Sequence, residues 1–403
     1  MRYLRSLFIS VVQSSPLLLV AALPASAAVV YVDKNASGSV HDGTAWSTAF
    51  LTVTAGLDGA TNSGDEVWVS QGTYSETDLT PQAGVAMYGG FTGTETQRSQ
   101  RDWRANETVL DGGGDSVSKV VNCRCLNITL DGFHIRNCGY GVYVYGTTAT
   151  ITNNSVSGIR YRGIVVDLGT ASLANNTVNN NRGVGVYVAG TATLTNNAII
   201  GNQDIGVYLT RGTSTLTNNT IASNAGDGVH VPGGTANLIN NIVAYNGTFG
   251  VIVFGNTVST FSHNDVYGNT AGDYSAYTPP TGQGNISQDP LFVNRTAGGY
   301  RLLAGSPCID AGDDSVVTLG QLDLDGKPRV IGTHVDLGAY EYGVVGPSSF
   351  VLGDVRRALA TWSGYFASIG ADNTRLDILP GGTIDLLDAV RIARKVSGLE
   401  PNP

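Results

Sequence analysis

An Asn-Asn pair returns about every 22 residues through the middle of this 403-residue chain. The pairs begin at Asn153, Asn175, Asn196, Asn218 and Asn240, and a degenerate copy begins at His263. A second phrase, Gly-Val-Tyr-Val or a close variant, keeps the same period between Gly141 and Gly250. A fixed period of this length is typical of a solenoid, in which each repeat buries its apolar side only against its neighbours. The repeat therefore limits the fold more strongly than any other feature of the sequence.

One period divides into three short strands separated by turns. Residues 193–195, 198–200 and 205–209 have strand-like patterns, and Asn-Asn and Gly-Asn-Gln-Asp stand between them. Strands of this length fit a coil of about 22 residues. Stacked coils pair strand on strand at about 4.8 Å and enclose a thin apolar core. The sequence therefore predicts an all-β, single-stranded parallel β-helix.

Alternation along the Gly-Val-Tyr-Val strands predicts which side chains point into the core. These residues are Val142, Val144, Ile164, Val166, Val186, Val188, Val207, Leu209, Val229, Val231, Val251 and Val253. The Asn pairs are interpreted as scaffold, because Asn tolerates left-handed backbone geometry and stacked amides can bond along a ladder.

The first 27 residues are predicted to be an export signal. Arg2 and Arg5 precede a short apolar run, and Ala25-Ser26-Ala27 forms a small-residue cleavage site. The run is too short to span a bilayer, and no later stretch is apolar enough. The mature chain is therefore predicted to lack a membrane span and to be secreted, extracellular or displayed at the cell surface.

Changes in pattern along the chain predict the organisation of the rest. The predicted parts are a β-helix over 28–342, divided into an N-terminal cap with the first coils (28–111), the repeats (112–288) and a closing segment over the core (289–342), then a linker (343–347) and a helical module (348–403). A helix is expected at 52–60 within the N-terminal cap.

Charge and cysteine content exclude some classes of function. A net charge of −9 argues against a nucleic-acid partner, which needs a basic face. Cys138 could form a disulfide with Cys123 or Cys125 on a neighbouring coil, but burial of these residues as apolar filler is an equally open alternative. Cys308 is the fourth cysteine, and the absence of Cys-x-x-Cys spacing predicts no structural zinc site.

Two groups of motifs flank the repeats. Val-Tyr-Val-Asp at 30–33, Gly-Asp-Glu-Val-Trp at 64–68 and Tyr-Gly-Gly-Phe at 88–91 precede them, and Asp-Pro-Leu-Phe at 289–292 and Asp-Leu-Gly-Ala-Tyr-Glu at 336–341 follow. With the repeats, they resemble the secreted bacterial right-handed parallel β-helix proteins of the pectate-lyase-like superfamily, which include polysaccharide lyases, hydrolases and epimerases. The resemblance spans residues 30–342. It implies a right-handed coil and export, and it leaves the activity open.

The helical module carries a degenerate calcium loop. Asp377, Asp385 and Asp388 match ligand positions of a loop that precedes a helix, and this half-module resembles a dockerin. The resemblance implies a cohesin-like partner. Leu379 and Gly381 replace two oxygen ligands, so calcium binding is predicted to be weak or lost. A plain helical pair is the alternative, and no cofactor other than weakly bound calcium is predicted.

Candidate functional residues lie on the outer side of the Gly-Val-Tyr-Val strands. The predicted glycan-binding residues are Tyr143, Arg162, Arg182, Tyr187, Asp204, Tyr208 and His230. Rings at a coil spacing of about 4.8 Å roughly match the length of a sugar unit. The alternative is that the tyrosines only stack on one another as a sheet ladder. Weak catalytic candidates are Arg162, Asp227 and His230, which could remove a proton from a substrate if they met in one cleft.

Three functions remain open from the sequence. The preferred one is a non-catalytic protein that binds a polysaccharide or cell-surface glycan or acts as an adhesin, because acids and bases are scarce in the repeats. The second is a polysaccharide-degrading enzyme, with a lyase favoured over a hydrolase or epimerase. The third is a structural surface spacer that the helical module attaches.

Overall fold

The computed structural model describes residues 27–255, 258–318 and 320–343. The predicted export signal, apart from its last residue, lies outside these ranges. The predicted helical module and its calcium ligands Asp377, Asp385 and Asp388 also lie outside them, as does the linker after Gly343.

Within the described residues the chain is a parallel β-solenoid of about nine turns. The elements are β1 (Val29–Val32), α1 (Val53–Gly59), β2 (Glu66–Ser70), β3 (Gly72–Ser75), β4 (Ala86–Phe91), β5 (Thr108–Cys123), β6 (Ile128–Asp131), β7 (Phe133–Tyr145), β8 (Thr148–Thr152), β9 (Ser155–Ser157), β10 (Arg162–Ala174), β11 (Thr177–Asn179), β12 (Val184–Thr195), β13 (Ala198–Ile200), β14 (Val207–Arg211), β15 (Thr213–Thr217), β16 (Thr220–Ala222), β17 (Val229–Val231), β18 (Thr235–Ile239), β19 (Ile242–Ala244), β20 (Phe249–Val253), β21 (Val258–Ser262), β22 (Asp265–Tyr267), β23 (Gly272–Ser275), β24 (Phe292–Asn294) and β25 (Gly299–Leu302). The predicted all-β solenoid is confirmed.

The parallel pairings arrange these strands in three faces, which the chain visits in the order A, B, C within each coil. Face A contains β1, β2, β4, β6, β8, the second halves of β10 and β12, β15, β18 and β21. Face B contains β3, the first halves of β5 and β7, β9, β11, β13, β16, β19 and β22. Face C contains the second halves of β5 and β7, the first halves of β10 and β12, β14, β17, β20 and β23.

The core follows the predicted alternation. Every residue predicted to point inward from the Gly-Val-Tyr-Val strands is exposed by 1% or less. At the start of the solenoid, α1 contributes Val53 and Leu57 to the same core, and Thr52 caps the helix by accepting a hydrogen bond from the backbone of Ala55. This helix confirms the one expected at 52–60. None of the helices in the described ranges is long and apolar enough to cross a membrane.

The two asparagines of each pair have different structural roles. The first adopts left-handed backbone geometry, with φ between 55° and 59° from Asn153 to Asn240, and so makes the turn from face A to face B. The second is buried and bonds from coil to coil. For example, Asn219 Oδ1 accepts hydrogen bonds from the backbone N–H and the amide of Asn197 at 2.9 and 3.0 Å. The predicted scaffold role is therefore confirmed.

A second buried asparagine ladder, which the sequence interpretation missed, follows the turn from face B to face C. Its members are Asn181, Asn202, Asn224, Asn246 and Asn269. Asn202 Nδ2 donates to Asn224 Oδ1 at 2.9 Å, and Asn224 repeats this contact with Asn246 at 3.0 Å. These residues also recur at 21 to 23 positions, so the signal was present as single asparagines.

The closing segment packs differently from the expectation. It was expected to close the core, but it lies along face B, where Leu324, Leu337 and Ala339 cover outward residues such as Ala222 and Ile242. At the end of the core, Tyr274 and Tyr277 pack instead against Phe261. Strands such as β13 and β19 are apolar at every position, which is typical of strands buried on both sides.

The first asparagine of the pairs also anchors this segment. Asn240 Nδ2 donates to the carbonyl of Asp313 at 3.0 Å, and its Oδ1 accepts from the Asp313 N–H at 2.8 Å. Asn196 Nδ2 donates to the carbonyl of Leu322 at 2.9 Å. Turn side chains that do not bond within the ladder therefore hold a non-repetitive segment of the chain.

All four cysteines are free thiols, so neither of the disulfides left open by the sequence forms. Cys123 is fully buried in the core, as expected for apolar filler. Cys308 donates to Asp265 Oδ2 at 3.3 Å beneath the closing segment. Burial raises the pKa of Asp265 to about 7, and the charges of Asp273 and Asp289 add to the effect.

We expect Asn219→Ala to lower the stability of the solenoid by about 3 kcal/mol or more, because it leaves the backbone N–H of Asn197 buried without an acceptor. Thermal unfolding followed by circular dichroism measures the change. The control is Asn237→Ala, which removes an outward side chain with one long contact to Thr215 and should leave the melting temperature nearly unchanged. Equal effects of the two substitutions would contradict a special role for the ladder.

Asp265 should make stability depend on pH. Its folded pKa of about 7 exceeds the ordinary value, so its stabilising contribution is complete below about pH 4 and is lost as the pH rises through about 7. The free energy of unfolding should therefore decrease between about pH 5 and about pH 8, and this decrease should be about 2 kcal/mol smaller in Asp265→Asn. Melting curves at several pH values test this, with the exposed Asp58→Asn as control. An unchanged pH profile in Asp265→Asn would refute the assignment.

Candidate functional site

The predicted outward residues of face C form one column in the structure. The register places Tyr143 beside Val165, then Tyr187, Tyr208, His230 and Ile252 on successive strands. Parallel strands lie about 4.8 Å apart, so the side chains follow one another along the solenoid axis. Their order follows directly from the sequence repeat.

The central part of this column is an aromatic row. The ring centroids of Tyr187 and Tyr208 are 5.7 Å apart, and those of Tyr208 and His230 are 5.1 Å apart, both in edge-to-face contact. His230 is also 5.7 Å from Phe254, a ring that is 52% exposed and that the sequence interpretation did not include. Tyr187, Tyr208, His230 and Phe254 are hereafter called the aromatic row.

Aliphatic residues flank Tyr187, Tyr208 and His230 in the outward column, and Phe254 lies two residues after one of them, Ile252. Val165 is fully buried and Ile252 is 8% exposed, although both occupy outward positions of the column. Neighbouring side chains cover these shorter residues. The outward column is therefore divided, with Tyr143 on one side of Val165 and the aromatic row on the other.

His230 is held by a carboxylate. Its Nδ1 lies 2.8 Å from Asp227 Oδ2, and both side chains are largely buried. The other Asp227 oxygen accepts hydrogen bonds from the backbone N–H of Phe249, at 3.1 Å, and from the hydroxyl of Thr248. This second set of contacts orients the carboxylate, which in turn orients the imidazole through Nδ1.

Arg162 packs on the aromatic row at its other end. Its guanidinium carbon lies 3.7 Å from the centroid of the Tyr187 ring, which is a close cation–π contact. Arg162 stands in register with Val184 on the next coil. Asp227 lies three coils after Arg162, which places their backbones about 14 Å apart at the strand spacing. The structure therefore does not bring Arg162 into one cleft with Asp227 and His230.

A second group of rings and cations surrounds Tyr143. Lys119 Nζ lies 5.4 Å from the Tyr143 ring and 5.9 Å from that of Tyr140, and these two rings are in edge-to-face contact. The Tyr143 hydroxyl donates to Asp167 Oδ2 at 3.1 Å. Burial, together with the Asp167 charge, raises the pKa of Tyr143. Tyr143 was predicted, whereas Lys119 and Tyr140 were not.

Arg182 lines a cleft of about 460 Å³ beside face C. The other polar residues of this cleft are Asp111, Asp115, Asn137 and Arg160. The remaining predicted residue, Asp204, lies exposed in a turn, where its Oδ1 accepts from the N–H of Ile205 at 2.8 Å. Asp204 therefore joins neither the cleft nor the aromatic row by any contact among the described residues.

The sequence contained a signal for the missed residues. Arg160 lies 22 positions before the predicted Arg182, the same spacing as the repeat, so the two occupy equivalent places in consecutive coils. Phe254 follows the last Gly-Val-Ile-Val strand directly. For metals, no cluster of three or more His, Cys, Asp or Glu side chains that could hold an ion occurs in the described part of the chain.

Comparisons with solved structures find proteins of low sequence identity. The pectate lyase Pel9A is 16% identical, over 79% of this chain and 98% of its own, with a TM-score of 0.49. The periplasmic alginate epimerase AlgG is 17% identical, over 56% and 59%, with a TM-score of 0.40. An alginate lyase from Paenibacillus sp. str. FPU-7 is 13% identical, over 59% and 94%, with a TM-score of 0.36. No curated protein matches the chain.

A family model described as the right-handed β-helix region matches residues 70–194, 117–271 and 183–297. These overlapping matches extend over residues 70–297, which is more than half of the chain. They cover the coils that build faces A, B and C and carry the aromatic row, and they confirm the predicted handedness. The chain therefore belongs to the right-handed β-helix family.

Proposed function

We propose that this protein binds glycans along face C. The observation that carries the proposal is the aromatic row, in which ring follows ring at centroid distances of 5.7, 5.1 and 5.7 Å. A spacing of this order roughly matches consecutive sugar units of a polysaccharide chain lying along the solenoid axis. Rings with an apolar body and a polar edge suit such a ligand.

The exposure of Phe254 supports binding over a purely structural ladder. Phe254 is 52% exposed and has no need to be aromatic for the core, because the inward residues of its coil, Val251 and Val253, are already fully buried. Arg162 holds a positive charge at the Tyr187 end of the row. An exposed apolar ring that continues a row of half-buried rings is typical of an interaction surface.

Tyr208, at the centre of the row, gives the direct test. Tyr208→Ala should weaken binding to a retained polysaccharide about 3- to 10-fold, because one ring contact is lost, whereas Tyr208→Phe should keep most of the affinity. Affinity electrophoresis in gels containing pectate, alginate, a glycosaminoglycan or a neutral glucan identifies a retained polysaccharide, and calorimetry then measures the change.

Thr193→Ala, on the outer side of face A, is the control and should bind as the unmodified protein does. Melting temperatures of all variants exclude loss of fold as the cause of weaker binding. Absence of retention by every polysaccharide would refute glycan binding and leave the spacer function, and wild-type affinity in Tyr208→Ala would refute the role of the aromatic row.

A second candidate function is a polysaccharide lyase, and the Asp227–His230 pair is the observation that favours it. A β-elimination needs a base that takes the proton next to a carboxylate while the glycosidic oxygen leaves, and an oriented imidazole can act as such a base. The distance of Arg162 from His230 weighs against this candidate, since the developing charge on the carboxylate needs a nearby cation.

If the protein is a lyase, it should release unsaturated products that absorb in the ultraviolet, and His230→Ala should lower the rate at least about 100-fold. Tyr187→Phe is the control, because it keeps the ring under Arg162 and should keep the rate. Binding without any unsaturated product from pectate, alginate or glycosaminoglycans would reject the lyase and leave the binding function in place.

We also propose, from the sequence patterns alone, that the chain is exported and that the signal is cleaved after residue 27. A second proposal of the same kind is that a cohesin-like partner binds residues 348–403 and holds the protein at the cell surface. N-terminal sequencing of the exported protein tests the first statement. Loss of surface retention in a chain that ends at residue 347 tests the second.

A further inference from the structure

The cleft beside face C contains two arginines without a carboxylate partner. Arg160 and Arg182 are both exposed, and no hydrogen bond or ion pair joins either guanidinium to an acid within the described residues. Arg160 lies 5.5 Å from the ring of Tyr161, which leaves its N–H groups unengaged by that contact. Several other arginines in the described ranges are paired with acids, for example Arg136 with Asp111 at 2.8 Å and Arg301 with Asp325 at 2.5 Å.

The backbone places these two arginines side by side. Arg160 N donates to the carbonyl of Cys138 at 2.8 Å, and Arg182 N donates to the carbonyl of Ile159 at 2.7 Å. They therefore occupy the same position in consecutive coils, about 4.8 Å apart at the backbone. Both residues precede the face C strands, and two exposed like charges so placed repel each other weakly, a repulsion that an anion bound between them would remove.

The acids of the same cleft are already engaged. Asp111 accepts from Arg136 Nε, from Asn137 Nδ2 at 2.9 Å and from the backbone N–H of Gly113 at 2.9 Å. Asp115 accepts from the hydroxyl of Ser118 at 2.8 Å and from two backbone N–H groups of its own loop. Their contacts hold them within the wall of the cleft, where their remaining lone pairs can accept hydrogen bonds from hydroxyl groups.

The cleft is open and has room for a ligand. Its volume is about 460 Å³, and a side chain added at Gly113 or Gly114 would meet no atom within 4 Å. Arg182 lies just before Val184, where β12 enters face C, so the cleft adjoins the coils that carry Tyr187 and Arg162. In a protein with a net charge of −9, a local pair of unpaired cations is a specific feature and not a property of the whole surface.

We propose that the Arg160–Arg182 cleft is an anion-binding subsite that takes negatively charged sugar units of the polysaccharide bound along face C. Guanidinium groups bind planar and tetrahedral anions through paired N–H donors, which suits both the carboxylate of a uronic acid and a sulfate ester. Asp111 and Asp115 can accept hydrogen bonds from hydroxyl groups of the same sugar unit. This inference rests on the proposed glycan binding and adds that the ligand is anionic and that its charge is recognised outside the aromatic row.

Two pairs of polymers separate charge from backbone chemistry: polygalacturonate with its methyl ester, and dextran sulfate with dextran. The unmodified protein should bind the charged member of at least one pair about tenfold more tightly, and added salt should weaken that binding. A preference within the first pair identifies carboxylates as the recognised group, and a preference within the second identifies sulfates.

Arg182→Gln should remove most of this preference, lowering affinity for the charged polymer about tenfold while leaving affinity for its neutral partner unchanged. The Arg160→Gln/Arg182→Gln double variant should also bind with a smaller dependence on salt. Arg295→Gln is the matched control, because it removes one exposed positive charge from the closing segment, beside Tyr245 and away from face C, and should change binding less than about twofold.

The outcomes distinguish this inference from the proposed function. Equal affinity for charged and neutral members, or wild-type affinity for the charged polymer in the double variant, would overturn the anion subsite. If Tyr208→Ala still weakens polysaccharide binding in either of these cases, glycan binding along face C stands without the anion subsite. Failure to bind any of these four polymers, and also pectate, alginate, a glycosaminoglycan and a neutral glucan, would refute both the anion subsite and the proposed glycan binding.

Discussion

The hydrogen bond from one buried asparagine to the next is the interaction on which the rest of the structure depends. After the first member of each ladder, the amide oxygen accepts from both the backbone and the side chain of the asparagine one coil earlier, as Asn219 does for Asn197. The amide nitrogen also satisfies a backbone carbonyl, such as that of Leu194 at 2.9 Å. The neighbouring turn residues bond to the next coil through the backbone, but the N–H of the ladder asparagine has only the amide oxygen as acceptor, and burying it unpaired would cost about 1–3 kcal/mol.

The ladders also set the register of all three faces. Because an asparagine in one coil must meet its counterpart in the next, consecutive coils cannot slip by a residue, and a slip would turn every inward side chain outward. The register fixed at the turns also fixes the register of the face C strands. Tyr187, Tyr208 and His230 stand in one column because the turns before them are locked by Asn181, Asn202 and Asn224.

Face C is better suited to hold a long ligand than to perform chemistry over its whole length. Arg162 belongs with Tyr187 and His230 belongs with Asp227, and the strands of Tyr187 and His230 are two steps apart, with that of Tyr208 between them. A polysaccharide can contact both groups at once because it is extended along the same axis. A lyase reaction takes place at a single glycosidic bond, and along face C the oriented base is at the Asp227–His230 end.

The sequence by itself determined what repeats: the coil length, the inward valines, the scaffold role of the Asn pairs and the outward column that contains Tyr208. These follow from local alternation and period, which are properties of neighbouring residues. The tertiary structure alone decided the placement of the closing segment along face B, the burial of Val165, the 2.8 Å contact between Asp227 and His230, and the cleft in which Arg160 and Arg182 meet. Those features depend on side-chain lengths and on non-repetitive segments that pack over long sequence separations, and a period carries no information about either.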